Sequence, residues 1–163
     1  MSVQSWKERN RLTPKSLSHL LQNAGSLRFE RFARDISALL DVLQSGTTCS
    51  PEDLVAIALD YPRTILMIAL DGTRVVGMAT YSFTQQVYGR EVRLDNIAVL
   101  PDYRRRGIGT WFVRRIDDFM ISFNAPFAEI VSGPEWTDAH RIYEQQGFRR
   151  TSVHRFERSI RGK

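Results

Sequence analysis

The stretch from residue 64 to residue 100 fixes most of what this chain can become. "TILMIAL", "RVVGMATYSFTQQV" and "REVRLDNIAVL" are apolar or alternating, and only "DGT" and Tyr88-Gly89 separate them. Connections that short join antiparallel strands, whereas a parallel crossover needs a dozen residues or more. Pro101 ends the third strand, because proline cannot donate to a ladder. The outcome is a three-stranded meander whose buried surface must be covered by helices from elsewhere in the chain.

Helix signals flank the meander. Ile36, Leu39, Leu40 and Leu43 recur at helical spacing and stop before Gly46. Ser50 and Pro51 open a second helix, with Glu52 and Asp53 in the first turn, where acids complement the helix dipole. Upstream, Thr13, Pro14 and Gly25 frame a predicted helix over residues 13–25, and "SLRFERFA" reads as a strand. Downstream, Ile108, Trp111, Phe112, Ile116, Phe119, Met120 and Phe123 form one apolar stripe. "FAEIVSG" then reads as a strand, "TDAHRIYEQQG" as a helix closed by Gly147, and "FRRTSVHRFERSI" as a closing strand. The predicted class is α/β of the α+β kind: one domain with a mixed, mostly antiparallel twisted sheet of six or seven strands flanked by helices.

A length of 163 residues suits a single core. No apolar run approaches a membrane helix. "MSVQSWKERNRLTPK" lacks the apolar stretch of a signal peptide, so a cytoplasmic location and no membrane partner are expected. Cys49 is the single cysteine, and His19, His140 and His154 share no metal-ligand spacing, so no metal is expected. The net charge of +5, carried more by arginine than by lysine, favours an anionic partner: a phosphorylated cofactor or nucleic acid.

"PDYRRRGIGTWF", residues 101–112, narrows that choice. It lies between a strand and a helix start, where unpaired N–H groups, glycines and arginines together make a phosphate cradle. It is not a P-loop, since no Gly-Lys-Ser/Thr follows. Nor is it a dinucleotide fingerprint, since Phe112 stands where the third glycine belongs. What remains is R-x-x-G-x-G at Arg104, Gly107 and Gly109, followed downstream by A-x-x-x-Y-x-x-x-G-F at Ala139, Tyr143, Gly147 and Phe148.

Together these segments, in this order and on these elements, resemble the GNAT superfamily of acyl-CoA-dependent N-acyltransferases. The resemblance covers residues 64–150 and, in the order of elements, 27–63. It leaves residues 1–26, an arm and a helix, outside a GNAT-like domain of 27–163. It implies acetyl-CoA as co-substrate, held in a V-shaped splay between the strand before the loop and the next strand. Pantetheine would pair with the backbone of Ile97, Ala98 and Val99, the Val99 N–H serving as oxyanion donor. The N–H groups of Arg105, Arg106, Gly107, Ile108, Gly109 and Thr110 would hold the pyrophosphate, with Arg104 and its neighbours supplying charge. Tyr143 sits at the motif position of a general acid, where a phenol can protonate the departing thiolate; otherwise it packs beside Ile142. Many relatives carry Asn where this chain has Trp136, which leaves the polar role to Thr137 or Asp138.

An alkylamine acceptor must lose a proton before it attacks. Asp95 is the candidate base, a position where some relatives place an acid. Strand alternation predicts it on the face of Ile97 and Val99, and the competing reading is an ion pair with Arg93. Glu129 is a second candidate, and His140 is expected to face solvent. The expected activity is direct acetyl transfer to an amine in a ternary complex, with Tyr81, Phe83, Tyr88 and the first two helices lining the acceptor pocket. Two alternatives stay open. One is a toxin-like acetyltransferase acting on aminoacyl-tRNA, using Arg28, Arg31, Arg34, Arg149, Arg150, Arg155, Arg158 and Arg161. The other is a non-catalytic acyl-CoA-binding regulatory module. A homodimer formed through the closing segment or the N-terminal extension is also expected.

Overall fold

The structure, a computed structural model, describes residues 12–16 and 26–152. In chain order it has β1 (Leu12–Ser16), α1 (Ser26–Leu43), α2 (Pro51–Leu59), β2 (Thr64–Asp71), β3 (Arg74–Gln86), β4 (Gly89–Val99), a 3-10 turn (Pro101–Tyr103), α3 (Ile108–Ser122), β5 (Phe127–Ile130) and α4 (Thr137–Gln145). The described strands form one sheet in the order β1-β2-β3-β4-β5. Every pair is antiparallel except β4–β5, which is parallel because α3 crosses between them. The meander stands as the sequence predicts, and so does the mixed α/β class.

Each face of the sheet carries its own core. Ile65, Met67 and Ala69 of β2 join Phe112, Val113 and Ile116 of α3 on one side. Leu66, Ile68 and Leu70 join Phe32, Ile36 and Leu39 of α1 and Leu54 of α2 on the other. Period-two alternation in β2 thus feeds both layers, which is why "TILMIAL" reads as continuously apolar.

Three expected elements differ. Residues 12–16 are strand, not the start of a helix: Leu12–Ser16 pairs with Asp71–Met67, and Pro14 is tolerated because β1 is an edge strand. The remainder of that predicted helix, residues 17–25, lies outside the described residues. "SLRFERFA" is not a strand but the first half of α1, which runs unbroken to Leu43. Phe32, Ala33, Ile36 and Leu39 bury one continuous stripe. Asp35, in the middle of that run, caps nothing; its carboxylate accepts the Val75 N–H at 2.9 Å and ties α1 to the β2–β3 turn. Finally, residues 148–152 carry no strand, and the rest of the predicted closing strand, with the dimer contact assigned to it, lies outside the described residues.

α2 begins as predicted. Pro51 is at its first position, the Ser50 hydroxyl accepts the Asp53 N–H at 3.1 Å, and Asp53 returns the bond to the Ser50 N–H at 2.8 Å. These bonds hold the Asp53 carboxyl below its usual range.

α3, which carries the arginine-glycine loop at its N-terminus, is fastened to the sheet by Tyr81. That side chain is fully buried, and its hydroxyl donates to the Phe112 carbonyl at 2.6 Å. Burial pushes the phenol far above its ordinary pKa, so it stays a donor. Tyr81→Phe keeps the ring and removes the bond. Its unfolding free energy in a denaturant titration should fall by about 0.5–1.5 kcal/mol with an unchanged slope.

Candidate active site

The site begins where β4 loses its second partner. β5 pairs with β4 only over Glu91–Leu94, ending at Leu94 with Ile130. β3 stays paired with β4 as far as Val99. From Asp95 onward the other edge of β4 therefore has no strand partner among the described residues. Leu100 donates its N–H to Val76 of β3 at 3.0 Å. Since N–H directions alternate along a strand, the Val99 N–H points the other way, into the gap. The Val99 carbonyl shares that side and accepts Arg104 Nε at 3.2 Å. The splay expected between these strands is present, and the Val99 N–H points into it.

A β-bulge interrupts β4 opposite Met78 and Thr80, with Asn96 in the left-handed region at φ 51°. It corrects one expectation. Leu94 and Ile97 both pack toward α3, although strict alternation would separate them. Asp95 therefore faces the α1 side, opposite Ile97 and Val99. There Arg93 Nε lies 3.2 and 3.0 Å from the two Asp95 oxygens, and Arg93 also reaches Glu129 at 3.8 Å. Cross-strand partners share a face, so the registers build two rows on this side: Thr64–Ser82–Arg93–Glu129 and Leu66–Thr80–Asp95. Near the splay, then, the α1 face is polar and carries two carboxylates around one arginine.

The loop after β4 is braced rather than loose. Tyr103 donates to Asp71 at 2.8 Å, which raises its phenol pKa and pins the loop to the β2–β3 turn. Arg106 lies over the Tyr103 ring at 4.9 Å and donates to the Asp102 carbonyl at 2.8 Å. Arg105 and Gly107 take left-handed conformations at φ 62° and 84°. Such alternation turns successive N–H groups toward one concavity. α3 then starts without a side-chain cap and without an acid in its first turn. Its first intrahelical bond runs from the Trp111 N–H to Gly107, so the N–H groups of Ile108, Gly109 and Thr110 are unspent by the helix. An uncapped, dipole-positive helix end beside exposed Arg104, Arg105 and Arg106 fits a diphosphate.

α4 packs onto the same region. Ile142 and Tyr143 sit against the α3-side core with Ile97 and Val99. A Cβ on Gly109 would lie 3.6 Å from Ile142, so α4 rests against the first turn of α3, while Asp95 lies on the opposite face of the sheet. Burial raises the Tyr143 phenol above its usual 10.0, and the Ser132 side chain partly offsets this by hydrogen bonding. Tyr143 is therefore a neutral, proton-bearing phenol at physiological pH. His140 does not face solvent freely: its Nε2 lies 3.2 Å from Ser132 Oγ. Trp136 occupies the N-cap position of α4 without capping it through its side chain, while Asp138 pairs with Arg141 at 3.9 Å.

Other expected residues fall elsewhere. Tyr81 is sealed in the core and lines no pocket. Phe83 stacks on Phe123 at 3.9 Å, beside a cavity with Pro62 and Arg63 at the far end of β3. Tyr88 lies edge-on to Phe127 at the hairpin tip. Of the arginines assigned to a polyanion, Arg31, Arg34 and Arg149 are exposed and Arg150 is bonded to Glu144 at 2.8 Å. Arg155, Arg158, Arg161 and the Arg28 side chain lie outside the described residues. Burial, with Asp53 adding to it, pushes the Cys49 thiol up to about 11, so it is no thiolate nucleophile at neutral pH.

With this geometry in place, the chain belongs to the acetyltransferase (GNAT) family, whose model matches residues 34–148. Among solved structures it is similar to a glucosamine-6-phosphate N-acetyltransferase from Arabidopsis thaliana (TM-score 0.72, 11% identity, 90% of this chain and 97% of that one). It is also similar to an aminoglycoside acetyltransferase from an uncultured soil metagenomic sample (TM-score 0.73, 16% identity, 93% and 98%). A third is the aminoglycoside N-acetyltransferase AAC(6')-Iy in complex with CoA (TM-score 0.66, 18% identity, 91% and 95%). Among curated proteins none matches the chain in sequence.

Sequence reasoning missed Gly77. Gly77 had a signal, since glycine inside a strand marks a close approach. A Cβ there would lie 3.1 Å from Ile108 and 3.3 Å from the Ala98 carbonyl, so Gly77 lets the first turn of α3 settle beside the end of β4. Gly77→Val should cost about 1–3 kcal/mol and, by displacing that turn, weaken coenzyme A binding in calorimetric titration. The two loop glycines should behave differently. Gly107→Ala should lose about 1–2 kcal/mol from its left-handed backbone and bind coenzyme A less tightly. Gly109 has helical φ, and its Cβ would meet only Ile142 at an ordinary 3.6 Å, so Gly109→Ala should hold both stability and affinity.

Proposed function

We propose that this protein is an N-acetyltransferase that moves an acetyl group from acetyl-CoA to an amine by direct transfer. The observation that carries the reading is a β4 edge that no described strand pairs beyond Leu94, ending at an uncapped α3 N-terminus. That pairing suits a long ligand with amides at one end and a diphosphate at the other. A solved neighbour described as a complex with CoA supports the same co-substrate.

Acetyl-CoA, when bound, supplies an acyl carbon already activated as a thioester. The chain's residues then do the following. The backbone of Ile97, Ala98 and Val99 orients the pantetheine amides, and the Val99 N–H holds the carbonyl oxygen as it gains charge. The N–H groups from Arg105 to Thr110, with Arg104, seat the diphosphate. Asp95, the first β4 residue past the last β5 pair, accepts the amine proton directly or through a water. Tyr143 donates its proton to the sulfur. One C–N bond forms and one C–S bond breaks. The amine proton leaves to the carboxylate, and the thiolate takes the phenolic one.

The acceptor reading follows from the α1 face. Asp95 and Glu129 around Arg93 suit a small cationic amine that also carries a polar or anionic group for Arg93 to hold. Amines of that polar kind fit what the neighbours' names describe, glucosamine-6-phosphate and aminoglycosides. A cytoplasmic location accords with use of acetyl-CoA.

Tyr143→Phe should bind coenzyme A normally and lose about 10²- to 10⁴-fold in turnover under conditions where chemistry limits the rate. Wild-type turnover in that variant would end the acid assignment. Because the phenol pKa is raised, the acid form persists upward in pH: the Tyr143-dependent loss of activity should begin only above the ordinary phenol range near 10.0. Asp95→Asn should lose most activity near neutrality and recover as rising pH deprotonates the amine unaided. A flat ratio to wild type across pH would remove Asp95 from proton transfer.

A further inference from the structure

The helix layer on the α1 side does not cover the whole sheet. Leu66, Ile68, Leu70, Met78 and Ala98 are buried in one core with α1 and α2. Beyond them the same face turns polar: Thr64, Ser82, Arg93 and Asp95 are half-buried, and Glu129 is exposed. Polar groups held partly out of water need partners, so which donors on this shelf are spent decides what it can take up.

Arg93 is at the centre. Its Nε lies 3.0 and 3.2 Å from the two Asp95 oxygens, so the Nε–H is spent and the guanidinium plane is held. Nη1 is 3.8 Å from Glu129, an ion pair too long to be a hydrogen bond. Nη2 makes no hydrogen bond or ion pair among the described residues. The Nη edge, which can grip an oxyanion with two parallel N–H groups, is therefore unspent, and with the side chain 36% exposed a ligand can reach it. Ser82 stands directly opposite Arg93 on β3, and its hydroxyl has no hydrogen bond among the described residues either. Thr64, next in the row, has given its hydroxyl proton to Asp60 at 2.5 Å. Asp95 keeps capacity of its own, because one N–H shared between two carboxylate oxygens leaves lone pairs for an amine.

We propose that Arg93 determines acceptor specificity: its Nη edge, with the Ser82 hydroxyl, holds an oxyanion of the acceptor, a carboxylate or a phosphate, while its Nε keeps Asp95 turned to the acceptor's amine. This rests on the reading of Asp95 as the base. It narrows the acceptor to short amines that carry an oxyanion. Amine, Asp95, Arg93 and oxyanion follow one another through hydrogen bonds, so one side chain sets the spacing between the two charged ends of the acceptor. A simple alkylamine or a polyamine leaves the Nη edge without a partner. Glu129 opposes the oxyanion through like charge.

The test uses the full chain, acetyl-CoA and matched acceptors: 2-aminoethyl phosphate against ethanolamine, β-alanine against propylamine, and glucosamine 6-phosphate against glucosamine. Each is read as kcat/KM by thiol release. In wild type the oxyanion member of a pair should be preferred roughly 10- to 100-fold, the size of a hydrogen bond between charged groups. The pairs that show the preference separate phosphate from carboxylate. In Arg93→Gln the preference should collapse toward unity. Arg93→Lys, which keeps the charge without the fork, should restore part of it, and Glu129→Gln should widen it. Loss of an amine contact lowers both members of a pair alike, so the ratio reports the oxyanion. Binding is read apart from turnover by 15N NMR of the Arg93 Nε–H with coenzyme A present, its resonance assigned by its loss in Arg93→Lys. That resonance should move on adding 2-aminoethyl phosphate or β-alanine and stay in place with ethanolamine or propylamine. Equal use of both members of every pair overturns the proposal, as does a preference that survives Arg93→Gln. So does a panel in which no acceptor is turned over and none moves the Arg93 resonance. A flat Asp95→Asn ratio across pH is a different failure, that of the base, and is read without reference to the paired acceptors.

Discussion

The parting of β4 from β5 after Leu94 governs this structure. Up to that pair β4 has neighbours on both sides; beyond it, among the described residues, only β3 remains. An interior strand with a bare edge leaves polar backbone groups unsatisfied, which a folded chain avoids unless water or a ligand completes them. The bare edge runs to Val99, and the next regular element is a helix whose first N–H groups are also uncommitted. Two sets of unspent donors thus follow one another in space, separated by a loop that Tyr103 and Asp71 hold still. The bracing matters because a diphosphate cradle made of backbone loses its advantage if the backbone must be ordered at each binding event.

Much of this was legible because it is local. The two short turns dictated the meander, Ser50-Pro51 with Asp53 dictated the start of α2, and the seven-residue apolar stripe dictated α3. The R-x-x-G-x-G run placed the proposed phosphate site at a helix N-terminus, and α3 does begin there, at Ile108. The errors also have physical causes. Pro14 after Thr13 signals a helix start, yet proline is equally at home in an edge strand, and only the pairing with Ala69 decides. "SLRFERFA" reads as a strand from its weak alternation, yet Phe32 and Ala33 lie on the stripe that Ile36 and Leu39 continue. The Asp35 carboxylate within this helix accepts the N–H of Val75, a residue 40 positions away.

The same holds within the site. Alternation is a sound rule until one extra residue enters a strand, and nothing in "VRLDNIAV" besides Asn96 announces the bulge. Asparagine tolerates the left-handed region better than most residues, so it was the only local clue. Tyr81 and Phe83 looked like pocket residues because aromatic side chains on a strand can serve either purpose. The Phe112 carbonyl claims the first and the Phe123 ring the second. Ser132 and His140 belong to different elements and share no motif, so their meeting could come only from the way α4 folds back on the end of β5.

The bulge has a chemical consequence as well. Without it Asp95 would share a face with Ile97 and Val99, and the groups read as base and acid would crowd the same side of the sheet. With it, Asp95 looks toward α1, among Thr80, Arg93 and Glu129, while Tyr143 packs on the α3 side. The proposed direct transfer uses that division. In it the amine sheds a proton on one side of the acyl carbon while the sulfur gains one on another, and a carboxylate beside the phenol would raise its pKa further and hold its proton back from the sulfur. Cys49, kept protonated by burial on the α1 side, offers no thiolate for a covalent relay. In the proposed function a single left-handed residue in β4 therefore sets the group read as base and the group read as acid on opposite faces of the sheet.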